Sequence, residues 1–396
     1  MIRNDARSIL HMDLDAFFVS VERLRDSRLK QLPLIIGGKN DRGVVAACSY
    51  EARTFGVHSA MPMKLAIQLC PDATVISGDM EAYVQHSKAV TEIIRERSPL
   101  FEKSSIDEFY IDLTGMDRFI GGYSWSGELR QNIIKETGLP ISMGLSTNKL
   151  ISKVATGECK PNGQTQIPQG EEAHFLAPLP VRKIPMIGKK TADFLYEMGI
   201  RRVYTLREMP VEMLEAAFGK NGRVLWNKAH GIDNSPVIPY TERKSISTET
   251  TFESDTIDIR KLKSVLTGMA EKLTFKLRSE KKLTANISVK IRYSDFETVS
   301  RQMQIPYTSS DKILIEKTLD LFDKLYSRRV LVRLVGVRLS KLAHGNYQIN
   351  LFDDTEEEIH LFEATDWIKK RFGIKSLMRA SSLHNGPGLR HSFKMS

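Results

Sequence analysis

"SIDEFYID", residues 105–112, reads as a buried strand around Ile106, Phe109, Tyr110 and Ile111, yet it sets Asp107 and Glu108 side by side in its middle. Two carboxylates taken out of water lose hydration and repel each other, which is costly unless a counter-charge is present. The residues alone leave two readings open. In the first, the acids are salt-bridged to a nearby Lys or Arg or reach water at a strand end; in the second, they form a cation site that needs both ionised. A second stretch repeats the contradiction. "HMDLDAFF" (11–18) places Asp13 and Asp15 in an apolar strand, and a period of two puts them on one face. If the strands bearing Asp13 and Asp107 are neighbours, their carboxylates converge. Hard divalent cations prefer such oxygens and keep positions open for phosphate and water. A pair of ions about 3.5–4 Å apart clamps both oxygens of an in-line phosphoryl displacement.

The rest of the chain bounds the problem. A length of 396 residues predicts two to four domains, and 41% apolar with 27% charged residues fits a globular protein. No apolar run is long enough to span a bilayer and no secretory leader is visible, so the expectation is a cytoplasmic protein with no membrane partner. Cys48, Cys70 and Cys159 form no CxxC pair and read as reduced thiols, with neither zinc nor disulfides. Net charge is +10, and residues 241–343 hold 21 basic against 13 acidic side chains, an excess of +8 in one block. A basic block confined to one region is the footprint expected for a polyanion partner.

Strand and helix signals alternate through about residue 168, which predicts an α+β layered domain. From about 175 the signals are helical with glycine punctuation. "NSPVIPYTERKS" (234–245) reads as a linker. Beyond it, Ile287, Val289, Ile291 and Tyr293 alternate with Ser288, Lys290 and Arg292, as in a half-buried antiparallel strand. Together with helices over 260–279 and 311–327, this predicts a four-stranded sheet backed by two helices.

In "NKLISKVATGECKPNG", Lys149, Lys153 and Lys160 fall on one side if the helix persists that far, a candidate phosphate face or simply a solvated lysine stripe. "SYEARTFG" sets Tyr50 and Arg53 at i and i+3 on one helical turn.

Taken together, "HMDLDAFFVSVE", "AACSYEARTFGVHSAMP", "SIDEFYIDLTG", "NKLISKVATGECKPNGQ", "IPMIGKKTADFLYEMGI" and "IRYSDFET" resemble the Y-family (translesion) DNA polymerases, most closely the DNA polymerase IV type. The resemblance spans about residues 8–345. It implies a multidomain right hand: palm at 1–15 and 79–168, fingers at 16–78, a helix-hairpin-helix thumb at 169–236, a linker at 237–243, a little finger at 244–343 and a tail at 344–396. Matched residue by residue, it implies that Asp13 and Asp107 bind two Mg²⁺ ions, that Glu108 completes the acidic site and that the Leu14 backbone carbonyl lends an oxygen. It implies Tyr50, Arg53 and Lys160 as the triphosphate-binding set, and Phe18 as the steric gate against a ribose 2′-hydroxyl. Phe17 reads as core, and Asp15 belongs to the motif without being an obvious ligand. The implied activity is low-fidelity, template-directed synthesis from dNTPs on primer-template DNA, without a proofreading exonuclease, by a monomer. A nucleotide cyclase-like palm enzyme and a non-catalytic DNA-binding scaffold are the alternatives. A cyclase needs no basic appendage, and a scaffold has no need of all three acids.

Two positions depart from the family pattern. Ala47 stands where Ser or Thr is usual, and Met186 where the thumb hairpin usually has glycine. Past the little finger, "QINLFDD" resembles a sliding-clamp-binding peptide, with Gln348 at the rim and Leu351 and Phe352 filling an apolar pocket. The following "IHLFEATDWIKKRFG" predicts an amphipathic helix with Leu361, Thr365, Ile368 and Phe372 at i, i+4, i+7 and i+11, which either packs back on the protein or makes an additional contact.

Overall fold

The computed structural model describes residues 7–116, 121–345 and 356–383. It divides into two compact units, Met1–Thr241 and Glu242–Ser396.

In the first unit the strands are β1 (Ile9–Leu14), β2 (Leu34–Gly37), β3 (Val45–Cys48), β4 (Thr74–Ile76), β5 (Phe101–Lys103), β6 (Glu108–Asp112), β7 (Ile141–Ser146) and β8 (Gln164–Gln166). They make a five-stranded sheet in the order β5-β6-β1-β7-β8 and a three-stranded sheet β3-β2-β4. β1 is thus the centre of the larger sheet, antiparallel to both β6 and β7. Its period-two alternation sorts the two faces. Leu10, Met12 and Leu14 enter a core with Val90 and Ile94 of helix Met80–Arg97 and Leu129 and Ile133 of helix Gly122–Thr137. Ile9, His11 and Asp13 therefore face the other way, toward helix Lys149–Cys159.

That helix lies close against the sheet because β7 carries Gly144. A Cβ there would meet Ser152 O at 2.5 Å and Thr156 N at 2.7 Å. Asn148 caps the helix N-terminus by accepting from Ile151 N at 3.0 Å. The helix stops at Cys159, and Lys160 is extended (φ −66°, ψ 148°), so the three lysines do not continue along one helical stripe.

From 172 to 229 the chain is a set of short helices around Leu176, Val181, Ile184, Leu195, Val203 and Leu214. Met186 lies between turn Val181–Lys183 and helix Lys189–Glu197 with φ 80°, the left-handed region that glycine adopts freely, and its side chain is 74% exposed. The non-glycine residue keeps a glycine-type turn at a local strain of about 1 kcal/mol.

The second unit is one antiparallel sheet, β9 (Ser245–Thr256), β10 (Lys282–Tyr293), β11 (Thr298–Thr308) and β12 (Val332–His344), ordered β11-β10-β12-β9. Helices Ile259–Ser279 and Asp311–Leu325 cover the face made by Ile287, Val289, Ile291 and Tyr293. The four-stranded sheet with two helices read from the alternation is present.

Helix Glu356–Phe372 packs back on this unit, an outcome the sequence left open, and the apolar spacing of Leu361, Thr365, Ile368 and Phe372 does not mark the buried face. Phe362, Asp366 and Lys369 are buried, whereas Leu361 is 58% and Phe372 64% exposed. Arg278 sets the rotation. Its guanidinium is sunk among Asp311 (3.0 Å), the Ser309 carbonyl (2.9 Å) and a two-point bond to Asp366 (2.7 and 2.8 Å), with the Phe362 ring 5.1 Å away. A buried cation flanked by acceptors outweighs an apolar stripe that water tolerates.

Candidate active site

The two acidic stretches meet. In the β1–β6 register Asp13 lies opposite Glu108, and Asp107 stands one position before it. Asp107 sits just before β6, in a turn in which Ser104 N and Ser105 N both reach the Glu108 carbonyl. Its carboxylate accepts from Ser105 Oγ at 2.5 Å, and that same oxygen accepts from Glu108 N at 3.1 Å. Leu14 N donates to the Asp107 carbonyl at 3.0 Å, so the backbone ties the two acid-bearing segments together.

Counter-charge comes from lysines. Lys160 Nζ is 2.5 Å from Asp13 Oδ1, and Lys153 Nζ is 2.6 Å from both oxygens of Glu108. Lys149 pairs instead with Glu102 at 2.8 Å and stands 4.6 Å over the Tyr110 ring. The lysines are neither a solvated stripe nor one phosphate face; each holds an acid. Burial pushes the Asp13 carboxyl up to about 6, and Glu108 and Asp107 push the same way, while Lys160 pulls it down. Beneath, His11 is buried, accepts or donates at Thr156 Oγ1 (2.9 Å), and is held well below its usual value by burial and by Lys153, Lys160 and Lys149. It stays neutral there.

These donors suit a hard divalent cation, being carboxylates and a backbone carbonyl with no thiolate or imidazole among them. Among the described residues no three His, Cys, Asp or Glu side chains converge as a formed metal cluster. Asp13 and Glu108 are each directed at a lysine ammonium group, and Asp107 at Ser105 Oγ.

Tyr50 opens helix Tyr50–Thr54, capped by buried Ser49, which accepts from Ala52 N at 3.3 Å. The Arg53 guanidinium lies 4.6 Å over the Tyr50 ring. Tyr50 OH donates to Asp15 Oδ1 at 3.4 Å; burial first, then the Asp15 charge, push its phenol up to about 12. Phe17 is 3% exposed and is core. Phe18 is only partly buried and stacks on Tyr83 at 4.2 Å and 11°, and Tyr83 OH donates to Glu22 at 2.6 Å. The tight turn that delivers both rings passes through Ala16 at φ 43°. Ala47 lies on β3 without a hydroxyl. Reading the sequence missed Lys153 as the Glu108 partner, Tyr83 as the support of Phe18, and Ser142 and Asn162, which hold Asp15. Only Asp15 carried a signal, as an acid inside the motif. Gln348, Leu351 and Phe352 lie outside the described residues.

With this geometry in place, comparison with known proteins decides the family. Residues 12–157 match the model of the impB/mucB/samB family, 243–351 its C-terminal domain, and 170–203 the helix-hairpin-helix motif of the same family. The chain is 39% identical to a DNA polymerase IV of Dehalococcoides mccartyi over 376 residues, covering 94% of this chain and 96% of that protein. A DNA polymerase IV of Listeria monocytogenes is 37% identical over 340 residues, covering 85% and 96%. The chain belongs to the Y-family DNA polymerases. A solved Y-family DNA polymerase chimera superposes with a TM-score of 0.75 at 25% identity, covering 85% of this chain and all of that one. It is therefore a DNA-directed DNA polymerase, a nucleotidyltransferase of the DNA polymerase IV type, acting on DNA and deoxynucleotides. Y-family enzymes depend on divalent metal ions. The cyclase and scaffold alternatives fall away. No helix among the described residues is long and apolar enough to cross a membrane.

Proposed function

We propose that this polymerase extends primers past template lesions with low fidelity, by two-metal-ion nucleotidyl transfer at Asp13, Asp107 and Glu108. The primer 3′-hydroxyl oxygen bonds to the α-phosphorus of the dNTP, the bond to the bridging oxygen breaks, pyrophosphate leaves and the hydroxyl proton is lost. Two Mg²⁺ ions, held by the three acids and the Leu14 carbonyl, would favour the ionised hydroxyl and neutralise the leaving group. Tyr50, Arg53 and Lys160 would bind the triphosphate, and Phe18, backed by Tyr83, would exclude a ribose 2′-hydroxyl. The observation carrying this reading is the convergence of Asp13 and Glu108 on paired central strands, beside Asp107, with lysines as their cationic partners.

The subdivision into palm, fingers, thumb and little finger is proposed with the boundaries given above. Synthesis without proofreading is proposed as part of the same family reading. The enzyme is proposed to act as a cytoplasmic monomer that gains a sliding clamp through Gln348, Leu351 and Phe352. The test is primer extension by Asp107→Asn across a Mg²⁺ titration. Incorporation should be nearly abolished with primer-template affinity retained. Substantial extension by this variant sinks the metal assignment.

A further inference from the structure

Asp15 is 1% exposed, yet it carries a carboxylate that no metal role claims. Its two oxygens have different work. Oδ2 accepts from Ser142 Oγ at 2.8 Å and from Asn162 N at 2.7 Å. Oδ1 accepts from Tyr50 OH at 3.4 Å and lies 3.7 Å from Lys160 Nζ. The main chain of Asp15 is fixed as well: its amide donates to the Pro140 carbonyl at 2.9 Å and its carbonyl accepts from Ser20 Oγ at 2.7 Å. The Asn162 end is equally firm. Arg130 donates to the Asn162 carbonyl at 2.7 Å and to its side-chain oxygen at 2.6 Å. Ser142 Oγ in turn accepts from Gly163 N at 3.2 Å.

We infer that Asp15 is a positioning residue, through which the sheet core sets the placement of Tyr50 and Lys160 for the incoming triphosphate. Tyr50 and Lys160 come from segments 110 positions apart in sequence, and one Asp15 oxygen faces both. A phenol that can rotate and a lysine with four rotatable bonds would each have to be ordered when nucleotide binds. A buried anion that orders them beforehand lowers that cost. The choice of a carboxylate over an amide follows. The Ser142 and Asn162 donors would be satisfied by an amide oxygen, but an amide NH₂ facing Lys160 offers no acceptor to the ammonium. Two donors on Oδ2 and a cation near Oδ1 also keep Asp15 from facing the triphosphate as a bare negative charge.

This inference rests on reading Tyr50 and Lys160 as triphosphate-binding residues, so the experiment tests the two separately. Single-nucleotide incorporation is measured for Asp15→Asn, Tyr50→Phe and Lys160→Ala, with Mg²⁺ titrations, primer-template affinity and thermal midpoints for each. Asp15→Asn should raise the KM for dNTP about tenfold, the size of one charge-assisted contact. Its kcat should change far less, and its Mg²⁺ midpoint, DNA affinity and thermal midpoint should hold. Adding Tyr50→Phe to Asp15→Asn should cost less than Tyr50→Phe alone, because the hydroxyl is already released. If Tyr50→Phe and Lys160→Ala leave KM unchanged, the triphosphate reading fails and the positioning role falls with it. If those two raise KM and Asp15→Asn does not, the positioning role alone is overturned. A collapse of kcat with a shifted Mg²⁺ midpoint would make Asp15 a metal ligand and overturn it too. Should Asp15→Asn fold poorly, Ser142→Ala takes its place: a raised KM at constant kcat supports the role, and an unchanged KM refutes it.

Discussion

Gly144→Ala should disable the enzyme without any change to a group that touches substrate. The new Cβ would sit 2.5 Å from Ser152 O, 2.7 Å from Thr156 N and 2.9 Å from Thr156 Oγ1. Two of these atoms are backbone of helix Lys149–Cys159, so no side-chain rotation relieves the clash. Ordinary contact begins near 3.4 Å, so the helix must move by roughly 0.9 Å. It carries Lys153 and leads straight into Lys160, the partners of Glu108 and Asp13. Overpacking of this kind costs about 1–3 kcal/mol of stability. A misplacement of about 1 Å at a reacting centre costs on the order of a hundredfold in rate. Steady-state primer extension should therefore show kcat/KM down by about that factor, with primer-template binding little changed and a lowered thermal midpoint. The matched control is Gly157→Ala in the same helix. Nothing beyond the helix's own backbone lies within 4 Å of where its Cβ would stand. That variant should be neutral or slightly stabilising, as alanine favours helix by up to about 1 kcal/mol. Wild-type rates from Gly144→Ala, or equal losses from both variants, would refute the argument that close helix-to-sheet approach places the lysines.

Phe18→Ala removes the ring stacked on Tyr83 and should lower dNTP-over-rNTP selectivity by at least about tenfold in matched single-nucleotide kinetics; an unchanged ratio makes Phe18 ordinary packing. On the sheet face of the second unit away from its two helices, Arg292 and Arg338 project with Ser288 and Lys290. Changing Arg292 and Arg338 to Ala should reduce the slope of log affinity against log salt by about two, one per released phosphate contact. The same slope in the double variant would place duplex contacts elsewhere. Replacing Leu351 and Phe352 with Ala should abolish clamp-stimulated synthesis and spare clamp-free synthesis. Loss of both activities together would instead mean that these residues anchor the tail.

What the sequence disclosed was the contradiction itself: acids inside apolar strands, in two places, with alternation that aims Asp13 and Asp15 the same way. Whether the two acid-bearing strands are neighbours stayed a condition, which the β1–β6 pairing meets. The register itself was not legible, because it depends on the turn at Ser104–Asp107, where the Ser104 and Ser105 amides reach the Glu108 carbonyl. The lysines were visible as a stripe, but a stripe on a helix does not say which acids stand opposite. Tyr83 gave no signal at all, since its stacking on Phe18 links residues 65 positions apart. The tail misled for a related reason. Apolar periodicity finds the inner face when packing is apolar, and here the docking is governed by Arg278, whose need for a second carboxylate lies outside the helix that answers it.

The charge arrangement of the site explains why those lysines stand on the acids. Lys160 stands on Asp13 and near Asp15, Lys153 stands on Glu108, and Asp107 accepts from Ser105 Oγ. Burial, with Glu108 and Asp107 adding to it, pushes Asp13 toward protonation, and Lys160 opposes that pressure. The fold keeps the cluster instead, and supports it from below with a neutral His11 rather than a third cation. Structural stability alone would favour replacing one of these acids by an amide. Acids gathered at the centre of the principal sheet suit the binding of divalent cations, and a lysine paired with one of them can swing away while keeping its charge. Lys160 is held by Asp13 at one distance and by Asp15 at a longer one, so leaving the first does not leave it unpaired. The second acid of the motif is thereby accounted for by the same electrostatics that account for the first.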